Sequence, residues 1–167
     1  AYRLTITPKA ITVEAVAERG VYWAMQTLYQ LKEEKGKKIR LQCGTITDWP
    51  AFRIRGFMQD VGRSYLSLEE LKREIAILSR FKINTFHWHL TENQAWRLES
   101  KIFPMLNDSA NMTRMAGKYY TLEEARELTM FCKAHQVLLI PEIDMPGHSA
   151  AFIRTFRHDM RSPEGMK

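Results

Sequence analysis

Hydrophobic and polar residues alternate at two different periods along this chain, and the changes of period divide it. Tyr2-Arg3-Leu4-Thr5-Ile6 and Ile11-Thr12-Val13-Glu14-Ala15-Val16 alternate residue by residue around Thr7-Pro8-Lys9, which predicts strand, turn, strand. After Gly20 the apolar positions Val21, Ala24, Leu28 and Leu31 recur every three or four residues, the spacing of one helix face, and Gly36 closes the region. Ile39 to Cys43 predicts one more strand. Residues 1–50 therefore read as the C-terminal part of a small α+β accessory domain.

From Arg53 the pattern repeats. Ile54 to Gln59 predicts a strand that ends in Asp60-Val61-Gly62-Arg63. Ser67-Leu68-Glu69-Glu70 is a capping box, in which side chains at both ends satisfy the free amides of a first helical turn, and Leu68, Leu71, Ile75 and Leu78 follow on one face. Ile83 to Leu90 predicts a second strand. It runs into Thr91 to Tyr120, a polar stretch too long for an ordinary connection and read as an active-site loop with structure of its own. Thr121-Leu122-Glu123-Glu124 is a second capping box, opening a helix with Leu122, Ala125, Leu128 and Phe131 inward. The continuous apolar run Val137-Leu138-Leu139-Ile140 has the composition of a strand buried on both faces. A third helix is expected from near Ser149, carrying Phe152, Ile153 and Phe156.

Strand and helix alternating three times imply an α/β fold with parallel strands joined by right-handed crossovers. A (β/α)8 barrel needs eight such units and about 250 residues. Residues 51–167 thus form either a small open sheet or a partial (β/α)8 TIM barrel, its first three strand–helix units. Both architectures bind ligands at the C-terminal ends of their strands.

Composition narrows the partners. At 167 residues and 45% hydrophobic, the chain can bury one sizeable core. A net charge of +6 invites a nucleic-acid reading, but the basic residues are scattered. The one dense cluster, Lys32 to Arg40, includes Glu33 and Glu34 and reads as a solvated helix end and turn, so no nucleic-acid partner is expected. Cys43 and Cys132 form neither a disulfide framework nor a zinc pattern. No apolar run is long enough to span a bilayer, and no membrane partner is expected. The chain opens at Ala1 without a charged, cleavable leader, as a processed chain also would.

Candidate chemistry gathers at the three strand ends. Glu142 and Asp144 are two apart and would share a strand face, with Pro146-Gly147 turning the chain to bring His148 beside them. A buried, hydrogen-bonded Asp with a helix-capping loop is the plainer alternative. At the first strand end, Arg63 offers a fork of donors suited to hydroxyls or a carboxylate, or simply an ion pair with Asp60 that pins the loop. At the second, His87 and His89 face the same way, as in the zinc or di-metal sites of barrel hydrolases, or as packed imidazoles with fixed hydrogen bonds. Trp88 and Trp96 could stack on a sugar ring or belong to the core.

The runs Arg55-Gly56-Phe57-Met58-Gln59-Asp60-Val61-Gly62-Arg63, His87-Trp88-His89-Leu90-Thr91-Glu92-Asn93-Gln94-Ala95-Trp96-Arg97, Tyr119-Tyr120-Thr121 and Pro141-Glu142-Ile143-Asp144-Met145-Pro146-Gly147-His148 come in order with matching gaps. Together they resemble the start of the catalytic barrel of the β-N-acetylhexosaminidases, glycoside hydrolase family 20. The resemblance implies that Arg63 binds the hydroxyls of a terminal N-acetylhexosamine. It implies that His148, with an acidic residue after the second strand, supports the general acid/base from behind. Glu92 stands at that acidic position, followed by Asn93 where many members have two aspartates. His87 and His89 become ordinary strand residues, with no metal and no cofactor.

In that family the substrate's own 2-acetamido oxygen attacks the anomeric carbon, a departure from the usual two-carboxylate scheme. The proton donor and the residue that orients the acetamido group form an Asp-Glu pair at the end of the fourth barrel strand. This sequence contains no Asp-Glu dipeptide. The expectation is therefore an inactive fragment of an exo-acting, retaining hydrolase of terminal β-linked N-acetylhexosamine, with Glu92 and His148 supporting an acid/base that is absent and Arg63 binding substrate. Its expected partner is an N-acetylhexosamine-containing glycan, its expected setting periplasmic or secreted, and an uncovered sheet edge should make it self-associate. Two alternatives are a metal-dependent barrel hydrolase using His87 and His89, and a non-catalytic carbohydrate-binding remnant.

Overall fold

The computed structural model describes residues 1–156. Strands β1 (Tyr2–Ile6), β2 (Ile11–Ala15) and β5 (Gly44–Asp48) form an antiparallel sheet in the order β2-β1-β5, on which helix α1 (Glu18–Leu31) packs. Tyr2, Leu4 and Ile6 point to one face of the central strand, as their alternation requires, and are buried with Trp23 and Ala24. Gly20 is what lets the helix start so close to the sheet: a Cβ there would lie 2.8 Å from both the Ala1 carbonyl oxygen and the Ala15 Cβ. The buried face of α1 is accordingly Gly20, Trp23 and Ala24, while Val21 and Leu31 are exposed, a rotation from the expected stripe.

The expected strand over Ile39–Cys43 forms only at Ile39 and Arg40, within a short hairpin of β3 (Glu33–Lys35) and β4 (Lys38–Arg40) that turns at Gly36, whose φ of +64° is open to glycine. The following strand, β5, then completes the sheet. Packing explains the difference, because Ile39 is exposed with no core to reach, whereas Ile46 of β5 lies opposite the fully buried Leu4. The Lys32–Arg40 cluster is thus a solvated hairpin, where a helix end and turn were expected.

The second sheet is parallel, with β6 (Gly56–Asp60), β7 (Thr85–His89) and β8 (Leu138–Glu142) in sequence order. Helices α2 (Leu68–Arg80) and α3 (Leu122–Ala134) form the crossovers. Both capping boxes are present: Ser67 and Glu70 bond reciprocally, as do Thr121 and Glu124. Each helix is followed by a residue in the left-handed region, Lys82 (φ 62°) and Gln136 (φ 57°), which turns the chain toward the next strand.

Side chains alternate across this sheet. Phe86 and Trp88 are buried with Leu71 and Ile75 of α2 and Leu128 and Cys132 of α3, and Leu139 packs against them. On the opposite face the register lines up Met58, His87 and Ile140, then Asp60, His89 and Glu142. This is the face that lines the inside of a closed barrel. The expectation that the third strand is buried on both faces is not met: on the helix side Leu139 is half-buried and Pro141 exposed. Leu138 and Ile140 are 57% and 41% exposed because no described strand lies beyond β8.

The Thr91–Tyr120 segment carries the structure expected of it: bridges Thr91–Trp96 and Leu98–Tyr120, and single 3-10 turns at Pro104–Asn107 and Ser109–Asn111. Helix α4 (Ala150–Thr155) buries Ala151 and sets Phe152 near Trp96, but Ile153 points outward. Between the two sheets, Lys82 Nζ donates to Asp48 (2.6 Å) and to the Tyr2 hydroxyl (2.9 Å), and the Tyr22 and Ser79 hydroxyls meet at 3.0 Å. No helix among the described residues is long and apolar enough to cross a membrane.

Candidate active site

The C-terminal ends of β6 and β7 are brought together by a glycine. A Cβ on Gly62 would lie 2.6 Å from Glu92 Cβ and 3.2 Å from the Glu92 amide nitrogen, so only glycine lets the loop after β6 rest directly on the loop after β7. Arg63 follows. Asp60 Oδ1 accepts its main-chain amide (3.0 Å) and Asp60 Oδ2 accepts Nη1 (2.5 Å), while Nη2 donates to Glu92 Oε1 (2.5 Å). The plainer reading of Arg63, an ion pair with Asp60, is present, but it is one half of a fork whose other prong holds Glu92.

Glu92 is fully buried, and every contact it makes is charge-assisted or to main chain. Oε1 receives Arg63 and the Nδ1 ring nitrogen of His148, while Oε2 accepts the Asn93 amide at 2.5 Å. Arg63 Nη2 also lies 3.4 Å from His148 Nδ1. The side chains of Arg63 and His148 are about half exposed, so this buried carboxylate supports two groups open to a ligand. With Nδ1 engaged, Nε2 is the nitrogen that His148 can offer a further partner. Asn93 turns away from this cluster: its Oδ1 accepts the Ala150 amide (3.2 Å) and its carbonyl accepts Arg154 Nη2 (2.7 Å), anchoring α4.

Electrostatics follow from these contacts. Burial alone would raise the Asp60 pKa, but hydrogen bonds from the Arg63 amide and guanidinium outweigh it and hold the carboxyl below its ordinary value. Arg63 is raised in turn, chiefly by its bond to Asp60.

Around β8 the expected grouping of Glu142, Asp144 and His148 is only partly formed. His148 departs to Glu92. Glu142 instead meets the two imidazoles of β7: His87 Nε2 contacts its Oε2, and His89 Nδ1 lies 3.1 Å from its Oε1. Burial pushes the Glu142 pKa up, but the hydrogen bond and charge of His89, with His87 beside it, bring the carboxyl below its ordinary value. The Asp144 amide donates to Thr91 Oγ1 at 2.9 Å. His87 and His89 do share a face, as expected, yet both are committed to one carboxylate. Among the described residues, the three groups near enough to share a cation are His89, Glu142 and Asp144, with ligand atoms within 4.8 Å of one another, a set that leaves out His87.

Of the two tryptophans, Trp88 belongs to the core. Trp88 is 1% exposed on the helix side of β7, edge-on to Tyr120, because an even position beside His87 and His89 must face the opposite way. Trp96 is half-buried, donates its indole N–H to the Leu98 carbonyl (2.7 Å) and lies beside Phe152 of α4. Arg97 of the same motif is completely buried, and nothing in the motif's sequence separates it from a surface arginine.

Comparison with known proteins identifies the family. The family description "Glycosyl hydrolase family 20, catalytic domain" matches residues 52–164, and "Glycosyl hydrolase family 20, domain 2" matches residues 1–49. A beta-hexosaminidase of Porphyromonas gingivalis is 38% identical over 93% of this chain and 22% of its own length. A beta-hexosaminidase of Vibrio furnissii is also 38% identical, over 92% of this chain and 28% of its own. The chain thus spans about a quarter of the length of these curated relatives. Among solved structures, the GH20 exo beta-N-acetylglucosaminidase of Vibrio harveyi in complex with N-acetylglucosamine superposes with a TM-score of 0.91 at 35% identity, covering 98% of this chain and 28% of that one. Its neighbours are barrel enzymes, and the three parallel strands with two crossover helices are the corresponding part of such a barrel. By its sequence, its partial barrel and these matches, the chain belongs to glycosyl hydrolase family 20.

Proposed function

We propose that this chain is the part of an exo-acting β-N-acetylhexosaminidase that grips the terminal sugar and braces the proton donor. The observation that carries the reading is the convergence of Arg63 and His148 on Glu92 Oε1, a buried oxygen at the mouth of the sheet. Arg63, fixed at both arms by carboxylates, is a preorganised donor array for sugar hydroxyls. Glu92 orients the His148 ring through Nδ1, leaving Nε2 to bond a carboxylic acid contributed by another strand.

In the substrate-assisted retaining reaction that acid gives its proton to the leaving oxygen while the 2-acetamido oxygen of the substrate bonds to the anomeric carbon. The acid, now a carboxylate, then takes a proton from the water that opens the cyclic intermediate, and configuration is retained. Arg63, Glu92 and His148 bind and brace in this scheme, and none is the donor. Support for the sugar comes from the relatives, since the Vibrio harveyi enzyme was solved with N-acetylglucosamine and a Streptomyces plicatus hexosaminidase mutant with the product GlcNAc. A periplasmic or secreted setting suits a hydrolase of such glycans.

Isothermal titration of N-acetylglucosamine and of glucose into the purified chain tests the reading. Binding of both sugars through the ring hydroxyls they share, lost in Arg63→Ala, is the expected result, since the residue that would recognise the acetamido group belongs to an Asp-Glu pair this sequence does not contain. Binding of neither sugar, or binding indifferent to Arg63, overturns it.

A further inference from the structure

Arg97 is a charged side chain wholly removed from water, and among the described residues it forms no ion pair. Its donors go instead to five main-chain carbonyl oxygens. Nε donates to Val61 (3.1 Å), Nη2 to Gly62 (3.3 Å) and Arg114 (2.8 Å), and Nη1 to Met115 (2.9 Å) and Lys118 (2.7 Å). Burial lowers its pKa from the ordinary arginine value, so the protein keeps a cation here at an electrostatic cost.

The position of those carbonyls says what the cation holds. Val61 and Gly62 are the two residues immediately before Arg63, and the other three oxygens belong to the far end of the Thr91–Tyr120 loop. Fixing the Gly62 carbonyl fixes the peptide plane from which the Arg63 side chain departs. On its other side Gly62 rests against Glu92. Glu92 and Arg97 come from one tight turn, closed by the Glu92 amide donating to the Ala95 carbonyl (3.0 Å) and by the Thr91–Trp96 bridge. That turn therefore delivers a carboxylate to the tip of Arg63 and a guanidinium to its base.

We propose that Arg97 is a positioning residue for Arg63: by clamping the Val61 and Gly62 carbonyls to the long loop, it aims the Arg63 guanidinium at Asp60 and Glu92 together. Its consequence for ligand binding rests on Arg63 being the sugar-binding arginine. A lysine at position 97 keeps the charge but has one nitrogen where five oxygens must be spanned, so it cannot reproduce the clamp.

The test is nitrogen-15 NMR of the Arg63 guanidinium in the full chain. A guanidinium bonded at both arms rotates slowly and gives separate Nη signals, which R97K should merge into one average, with N-acetylglucosamine affinity falling about tenfold. L4A, which removes a buried side chain from the separate core of the first sheet, supplies a destabilised variant that keeps the Nη signals separate. Separate Arg63 signals in R97K, whatever its melting temperature, overturn the proposal. Should R97K not fold, warming the unsubstituted chain gives the same information: loss of Arg97 proton protection and merging of the Arg63 signals should coincide, and Arg63 signals that stay separate after Arg97 is freed overturn it. Merged signals in R97K together with no sugar binding by the unsubstituted chain leave the positioning role standing and overturn only the sugar-binding reading.

Discussion

Arg63 and His148, from loops 85 residues apart, meet on a single oxygen of a carboxylate that neither loop contains. That oxygen, Glu92 Oε1, is buried while its two partners are half exposed, so two solvent-facing groups are oriented by a charge the solvent cannot screen. Glu92→Gln keeps the shape and removes the charge. It should lower stability by about 2 kcal/mol and weaken N-acetylglucosamine binding by about tenfold. Urea unfolding and calorimetry read the two effects. An unchanged affinity would show that Arg63 needs no anchor at Glu92.

Gly62→Ala acts on the same contact by steric means. Its Cβ would collide with Glu92 Cβ and crowd the Glu92 amide, both close to main chain and unable to swing away. Overpacking of this kind costs about 1–3 kcal/mol. The Arg63–Glu92 bond should break and sugar binding fall with it, as a crystal structure of the variant would reveal.

Acid should unfold the protein through three carboxylates. Asp48, Asp60 and Glu142 all have folded pKa values below their ordinary ones: burial opposes the shift in each, and Lys82, Arg63 and His89 respectively overcome it. In the window between folded and unfolded values the unfolded chain binds more protons, so stability rises with pH there. The contribution is complete above the unfolded range of about 4 and is lost as pH falls through the folded values. Urea midpoints between pH 2 and 7 should trace this fall, and Asp60→Asn should flatten it. A slope unaltered by Asp60→Asn would remove Asp60 from the account.

Turnover by the chain alone should be absent, because its sequence holds no Asp-Glu dipeptide to supply the proton donor and the acetamido partner. A chromogenic N-acetylglucosaminide is the substrate to use. Hydrolysis that co-purifies with the chain and disappears in Arg63→Ala would sink the expectation.

In dilute solution the chain should self-associate. Met58, Leu138 and Ile140 are exposed on or beside the inner face, and the outer edges of β6 and β8 are unpaired among the described residues. Light scattering should report oligomers that Ile140→Lys reduces. A monomer at high concentration would count against this.

The barrel portion was legible because its signals are local. Two capping boxes marked the helix starts within a residue, and three apolar runs marked the strands. The first portion was less so, since Gly44–Asp48 carries a single isoleucine and becomes a strand only because β1 offers it an edge. At the site, no spacing revealed that His148 would join Glu92 while Glu142 joined His87 and His89. Those pairings depend on the parallel register, which sets Glu142 opposite His89. Arg97 was unreadable for a related reason: its burial is decided by carbonyls from three separate stretches of loop.

The two crossovers are punctuated alike, each opening with a Ser or Thr box and closing with a left-handed Lys82 or Gln136. Every such mark is complete within a few neighbouring residues and asks nothing of distant strands. A ribosome releasing this chain from its N-terminus therefore emits units whose helix limits are already decided, and the sheet can grow strand by strand as it emerges. Because β6, β7 and β8 lie in the sheet in the order in which they occur in the sequence, β7 and β8 each meet a partner already made, and neither has to wait for a later one.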